Sequence, residues 1–207
     1  VDIITGSDII SNTLEGRGGV DILYSRLGAD TVTGGDDVDV FRFEITGFST
    51  NDDIITDFNI NEDIVLISGS TFTSTADFSI TFDGTNSIAD FTGGETLTFS
   101  NVDLSGLTTP EKDEFFIFNR QIISDAGGTT NGTAGNDFIQ AFDGTSAFDG
   151  NGFFITDDIV RQNNVDDVIN AGDGNDVILT GGSGSGYNNT GDFVDGGAGD
   201  DLIIGQS

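Results

Sequence analysis

The sequence predicts an all-β chain in which parallel β-solenoid segments at both ends flank a β-rich middle. Three observations predict it. Aspartates recur every nine residues in glycine-rich context near each end, apolar and polar residues alternate in between, and helix signals are almost absent. The reading divides the chain into residues 1–47, 48–131 and 132–207, with the middle either sandwich-like or an extension of the solenoid sheets.

In the first segment, Asp21, Asp30 and Asp39 are nine residues apart. Gly16 to Tyr24 carries Gly16, Gly19, Asp21 and Leu23, and Gly34 to Arg42 carries Gly34, Gly35, Asp39 and Phe41, with Asp37 where a glycine is expected. Asp8, in Thr5-Gly6-Ser7-Asp8-Ile9-Ile10, is a degenerate member 13 residues ahead of Asp21. Glycine clusters allow positive φ and close backbone approach, so the first six residues of each repeat form a tight turn. The next three form a very short strand whose central aliphatic residue points inward. Two such units make a coil of about 18 residues, and coils stack through parallel strands. Each turn then lies over an equivalent turn. The resulting row of aspartates repels itself unless a cation sits between successive members.

In the middle segment the glycine period disappears. Phe78-Ser79-Ile80-Thr81-Phe82 and Leu97-Thr98-Phe99 read as half-buried strands of period two. Gly47, Gly84 and Gly93-Gly94 mark turns. Pro110-Glu111-Lys112-Asp113-Glu114 after Thr108-Thr109 reads as one helical turn, the sole helix signal, with Thr as N-cap and acids in its first turn.

In the last segment Asp137 lies in a partial repeat from Gly132 to Gln140. Asp167 and Asp176 are nine residues apart, as are Asp192 and Asp201. Asp173, inside the turn before Asp176, joins the candidate ligands. Asp176 to Asp192 spans 16 residues, and the Gly/Ser-rich Gly181–Tyr187 accounts for the excess as a loop. Residues 141–164 keep no clear period, although Asp157-Asp158-Ile159-Val160 reads as a broken repeat.

Composition narrows the chemistry. The chain carries 36 acidic and 6 basic residues, a formal net charge of -30, so nucleic acid and anionic lipid are unsuitable partners. With no neutralising cation such a chain is expected to be disordered, yet 35% hydrophobic residues, 18 of them Phe, provide a core once the charge is ligated. There is no Cys and no His, which removes disulfides, thiolate and imidazole metal sites and His-based nucleophilic dyads. The remaining ligands are carboxylates and carbonyls, hard oxygen donors that suit calcium or magnesium. Paired carboxylates admit a glycosidase reading, but turns that bind metal explain the same acids, and no Trp is present to stack a sugar. A non-enzymatic protein is expected. No apolar stretch reaches the length of a membrane span and no secretory leader is seen, and a chain without Met that opens inside a repeat reads as a processed form, a fragment or a sequence read without its true start.

Gly196-Gly197-Ala198-Gly199-Asp200-Asp201-Leu202-Ile203-Ile204 fits G-G-x-G-x-D-x-U-x at every fixed position, and Ala171 to Leu179 departs only at the first. These nonapeptides resemble the RTX (repeats-in-toxin) calcium-binding repeats, which form a parallel β-roll. The resemblance implies Ca2+ held between stacked turns, with the motif aspartate falling on Asp21, Asp30, Asp39, Asp137, Asp167, Asp176, Asp192 and Asp201. It also implies export of an unfolded chain through a type I secretion channel to the cell exterior. Asp53-Ile54-Ile55-Thr56-Asp57-Phe58 followed by Asp63-Ile64-Val65-Leu66 is similar to an element after the RTX repeats of serralysin-type proteases. By that similarity Asp53 and Asp57 help close the final calcium site; the alternative is plain turn-flanking acids. The serralysin zinc helix needs His and is not carried over. Several ions are expected, about 5–9. Three functions suit such a chain: a structural protein that self-associates into a fibre or surface array, an accessory module of a secreted hydrolase or toxin, and a calcium-dependent module for a cell-surface glycan.

Overall fold

The computed structural model describes residues 2–7, 10–45, 51–68, 71–91, 93–118, 121–124, 129–131, 138–141, 168–179 and 193–204. The fold is all-β with parallel β-roll segments, and the chain forms two compact units, residues 1–119 and 120–207.

In the first unit the chain alternates between two sheets. Strands β1 (Ile3–Thr5), β3 (Asp21–Tyr24), β5 (Asp39–Glu44) and β7 (Ile64–Ser68) stack in parallel in one sheet. Strands β2 (Thr13–Gly18), β4 (Thr31–Asp36) and β6 (Asp52–Ile55) stack in parallel in the other. Asp21 pairs with Asp39 and Thr13 with Thr31, so one coil is 18 residues, two nonapeptides. The inward position of each short strand is apolar. Leu23, Phe41 and Val65 are register neighbours in one sheet, Leu14, Val32 and Ile55 in the other, and all six belong to one core. Each side chain buried in this way contributes about 1.5–3 kcal/mol.

Residues 52–118 extend both sheets. After β7 come β8 (Ser79–Phe82), β9 (Ser87–Asp90), β10 (Thr96–Phe99), α1 (Thr109–Asp113) and β11 (Phe116–Phe118). Strand β11 adds in parallel to β7, and β10 adds in parallel to β6, with β9 and β8 following as an antiparallel edge. Residue 47 therefore falls within the first compact unit, residues 1–119, whose two sheets both continue past it. Phe58 links the roll to this extension: its ring meets Phe41 at 6.1 Å, Phe99 at 5.0 Å and Phe115 at 5.4 Å.

Local signals in the middle segment have identifiable outcomes. Helix α1 starts after Thr108, whose N–H donates to the Glu111 carboxylate at 2.7 Å. A second short helix, a 3-10 turn at Thr75–Asp77, was not expected; the Asp77 carboxylate builds it by accepting the N–H groups of Thr73 and Ser74. Gly84, Gly93 and Gly94 take positive φ at their turns, and Gly47 lies outside the described residues. Phe82 is 37% exposed because β8 is an edge strand, so the half-buried reading holds better for β10, where Leu97 and Phe99 are buried.

In the second unit, β12 (Gln121–Ser124), β14 (Phe138–Ala141), β16 (Val177–Leu179) and β18 (Leu202–Ile204) form a four-stranded parallel sheet. Strands β13 (Thr129–Asn131), β15 (Val168–Asn170) and β17 (Phe193–Asp195) form a three-stranded one. The unit begins ahead of the expected border at 131/132, because β12 and β13 pair with the repeat strands. Ile169, Ala171 and Ile178 form its core, with Val194 packed against them. Asp157–Val160 and Gly181–Tyr187 lie outside the described residues.

Candidate functional site

The turns that join the two sheets stack along the two edges of the roll. Their backbone follows one rule in five described nonapeptide turns: the second and fourth positions take positive φ. This holds for Arg17 and Gly19, Arg26 and Gly28, Gly35 and Asp37, Gly172 and Gly174, and Gly197 and Gly199. Asp37 therefore takes the glycine conformation as well as the glycine position, with φ of 78°. The first position needs space rather than an unusual φ. A Cβ added to Gly16 would lie 2.7 Å from Oδ2 of Asp21, and one on Gly34 or Gly196 would meet Oδ2 of Asp39 or Asp201. The missing side chain leaves a cradle for that carboxylate oxygen.

The aspartates form ladders. On the edge joining β2 to β3, Oδ1 of Asp21 accepts the Asp2 N–H at 2.6 Å. Oδ1 of Asp39 accepts that of Asp21 at 2.9 Å, and Oδ1 of Asp63 accepts that of Asp39 at 3.0 Å. On the opposite edge Oδ1 of Asp30 accepts the Asn12 N–H, and Oδ1 of Asp53 accepts the Asp30 N–H at 2.8 Å. The second unit repeats the arrangement between Asp176 and Asp201, at 3.0 Å. Asp21, Asp30 and Asp39 are at most 1% exposed, yet Oδ2 of each is buried without a hydrogen-bond partner. A buried, unsatisfied carboxylate oxygen is costly, by about 1–3 kcal/mol or more for a charged group. A hard cation at that oxygen removes the cost, which is the fit expected for calcium.

Among the described residues no three acidic side chains converge on one point. The acids would supply one oxygen or two per site, and stacked turn carbonyls would be the remaining donors. Those carbonyls lie against the next turn: a Cβ at Gly35 would fall on the Arg17 carbonyl, one at Gly197 on that of Gly172, and one at Gly199 on that of Gly174.

The sequence-selected residues divide as follows. Asp21 and Asp39 share one edge, Asp30 and Asp53 the other, and Asp176 and Asp201 one edge of the second unit. Asp57 is exposed and accepts the N–H groups of Gly34 and Gly35 at 3.0 and 2.9 Å, so it clamps the repeat turn beside it. Asp173 is exposed and bridges through its backbone to Ala198. Asp8, Asp137, Asp167 and Asp192 lie outside the described residues. Two residues that sequence reasoning passed over belong here. Asp63 takes the ladder position after Asp39; its signal was the D-x-U triplet Asp63-Ile64-Val65, without the glycines. Asn51 accepts the Gly28 N–H at 2.9 Å and donates to fully buried Glu95 at 3.4 Å.

Burial raises several of these carboxyls. Desolvation lifts Asp39 and Asp53 to about 7 and Asp63 to about 6, and also raises Asp30. Between the ordinary carboxylate value, about 3.9, and about 7, the metal-free folded state binds more protons than the unfolded chain. Its stability therefore falls as pH rises through that window. Acidifying the metal-free protein from about pH 7 to about pH 5 should increase its β-sheet circular dichroism, and calcium binding near pH 6 should release protons to a weak buffer. Proton-neutral binding there would contradict this.

Parallel coils with buried aspartates on their turns, two of them, Asp21 and Asp39, holding an orphan oxygen beside a glycine cradle, define a β-roll protein of the calcium-binding class. The family model for the RTX calcium-binding nonapeptide repeat matches residues 5–41, 129–152, 164–187 and 187–207, just over half of the chain. The chain belongs to that family and is a calcium-binding β-roll module. Such repeats are typical of extracellular bacterial proteins, and no helix among the described residues is long and apolar enough to cross a membrane. No curated protein matches the chain. The solution structure of the AlgE6R3 subunit from the Azotobacter vinelandii mannuronan C5-epimerase matches 56% of this chain and 77% of its own, with 21% identity and a TM-score of 0.38.

Proposed function

We propose that the protein is a secreted, non-catalytic structural protein of the bacterial exterior whose folding and self-association depend on Ca2+. The observation that carries the folding half is the set of orphan Oδ2 atoms on Asp21, Asp30 and Asp39. Asp53 follows Asp30 in its row, Asp176 and Asp201 form the equivalent ladder of the second unit, and Asp57, Asp173, Asp8, Asp137, Asp167 and Asp192 are further candidate ligands by their place in the sequence. Several ions bind, about 5–9, each shared by stacked turns. Cytosolic calcium is too low to fill weak extracellular-type sites, about 10⁻⁴–10⁻³ M. The chain, at a net charge of -30, then stays unfolded inside the cell, which suits passage through a type I channel, and folds outside.

Self-association is supported by the sheet edges. Among the described residues, strands β17 and β18 are the last of their sheets, and a further parallel coil is the geometry that continues such a sheet. A second copy of the chain is the partner proposed. Calcium titration of the purified chain, followed by light scattering and electron microscopy, should show ordered assemblies at millimolar calcium that dissolve in chelator. A protein that folds with calcium and remains monomeric would end the assembly reading and leave the folding reading intact.

A further inference from the structure

We infer that the Asn59–Asp63 turn ends the row of calcium sites on its edge of the roll, with a backbone N–H standing where the metal stands one coil earlier. The inference rests on the calcium reading of Asp21 and Asp39. Asp21, Asp39 and Asp63 hold the same ladder position, each accepting on Oδ1 the N–H of the aspartate one coil before it. They differ at Oδ2. In Asp21 and Asp39 this atom is buried, has no hydrogen-bond partner and faces the first glycine of its own repeat. In Asp63 it accepts the Asn59 N–H at 2.8 Å.

The Asn59 turn is closed by protein groups alone. The N–H groups of Asp63 and Glu62 donate to the Asn59 carbonyl at 2.9 and 3.1 Å. The Asn59 side chain donates to Glu62 at 2.9 Å and accepts the Asn61 N–H at 3.2 Å. Residues 57–63 contain no glycine, so the cradle that holds Oδ2 in the repeats has no counterpart. A carboxylate with an N–H on each oxygen is satisfied without a cation, whereas one with a buried orphan is not. Asp63 is thus a positioning residue. It holds the N–H of Asp39 and acts on calcium through Asp39, presenting an acceptor that is in place before any ion arrives. Preorganisation of this kind lowers the ordering cost of the turn stacked on it.

The test compares Asp63→Asn with Asp39→Asn in the full chain. Native mass spectrometry counts the ions at saturating calcium, and circular dichroism gives the midpoint of the calcium titration. Asp39→Asn should bind at least one ion fewer than the parent. Asp63→Asn should bind the full number while its midpoint rises about ten- to a hundred-fold, the worth of one charge-assisted hydrogen bond. Loss of an ion in Asp63→Asn, or an unchanged midpoint, overturns the inference. An unchanged ion count in Asp39→Asn instead strikes the calcium reading of the ladder, and this inference with it. Should a variant not fold, a crystal structure of the unaltered calcium-loaded chain decides. No ion should lie within about 2.3–2.6 Å of the Asp63 carboxylate, and an ion there overturns the proposal.

Discussion

Excess chelator at neutral pH should abolish the β-sheet circular dichroism of the intact chain, and millimolar calcium should restore it. The size of the effect follows from the ladders. Asp21, Asp30 and Asp39 each bury an oxygen with no protein donor, in a chain that already carries a formal net charge of -30. Each ion held at a hundredfold excess over its dissociation constant contributes about 2.7 kcal/mol to the folded state. Two such ions match the lower end of the total stability of an ordinary domain, about 5–15 kcal/mol. Several ions exceed it, so removing them unfolds the roll as well as loosening it. A β spectrum that survives in chelator would show that the apolar core suffices alone.

Gly35→Ala should destabilise the calcium-loaded protein by about 3–5 kcal/mol, and Gly84→Ala by only about 1–2 kcal/mol. Both glycines have positive φ, 115° and 101°, so the backbone strain of an L residue is common to the pair. They differ in surroundings. A Cβ at Gly84 meets nothing within 4 Å, whereas one at Gly35 lands on the carbonyl of Arg17 and within 2.8 Å of its Cα. That neighbour is backbone, held in register by the β2–β4 ladder, and cannot turn aside. Gly35 N–H also donates to Asp57, so its displacement releases the clamp. Denaturant unfolding of the two variants separates the contributions; equal losses would mean that turn stacking adds nothing to conformational strain.

The parts of this fold that were legible in the sequence are those fixed by local chemistry. A glycine needed at a cradle, an aspartate at every ninth position and an aliphatic residue two places later specify turn and strand together. Thr108 and Glu111 specify the start of α1 in the same local way. The turn at Ser25–Asp30 shows where that legibility stops. It lacks the leading glycines, yet Arg26 and Gly28 take the same positive φ as the glycine turns, and the spacing of Asp30 was its one clear trace. Asp63 escaped for the converse reason: side chains of Asn59 and Glu62 close its turn, and no repeat motif records that solution. The sequence left the middle segment open between a sandwich and a sheet extension, and the register of the extension was illegible. The parallel pairing of β10 with β6, 44 residues apart at Thr96 and Asp52, depends on Phe58, Phe99 and Phe115 meeting in three dimensions. Alternation along one strand carries no such register.

The aspartate ladder also has a direction. In every described rung the acceptor belongs to the later coil and the donor to the earlier one, 18 residues before it for Asp21 and Asp39 and 24 for Asp39 and Asp63. A chain released N-terminal end first leaves each finished turn waiting for a carboxylate that has yet to emerge. A chain released C-terminal end first finds its landing place already built, so every arriving coil docks on its successor and is held from sliding back. The polarity of one hydrogen bond, repeated along the roll, makes the order of emergence matter to whether folding runs as a sequence of captures or waits for the whole chain.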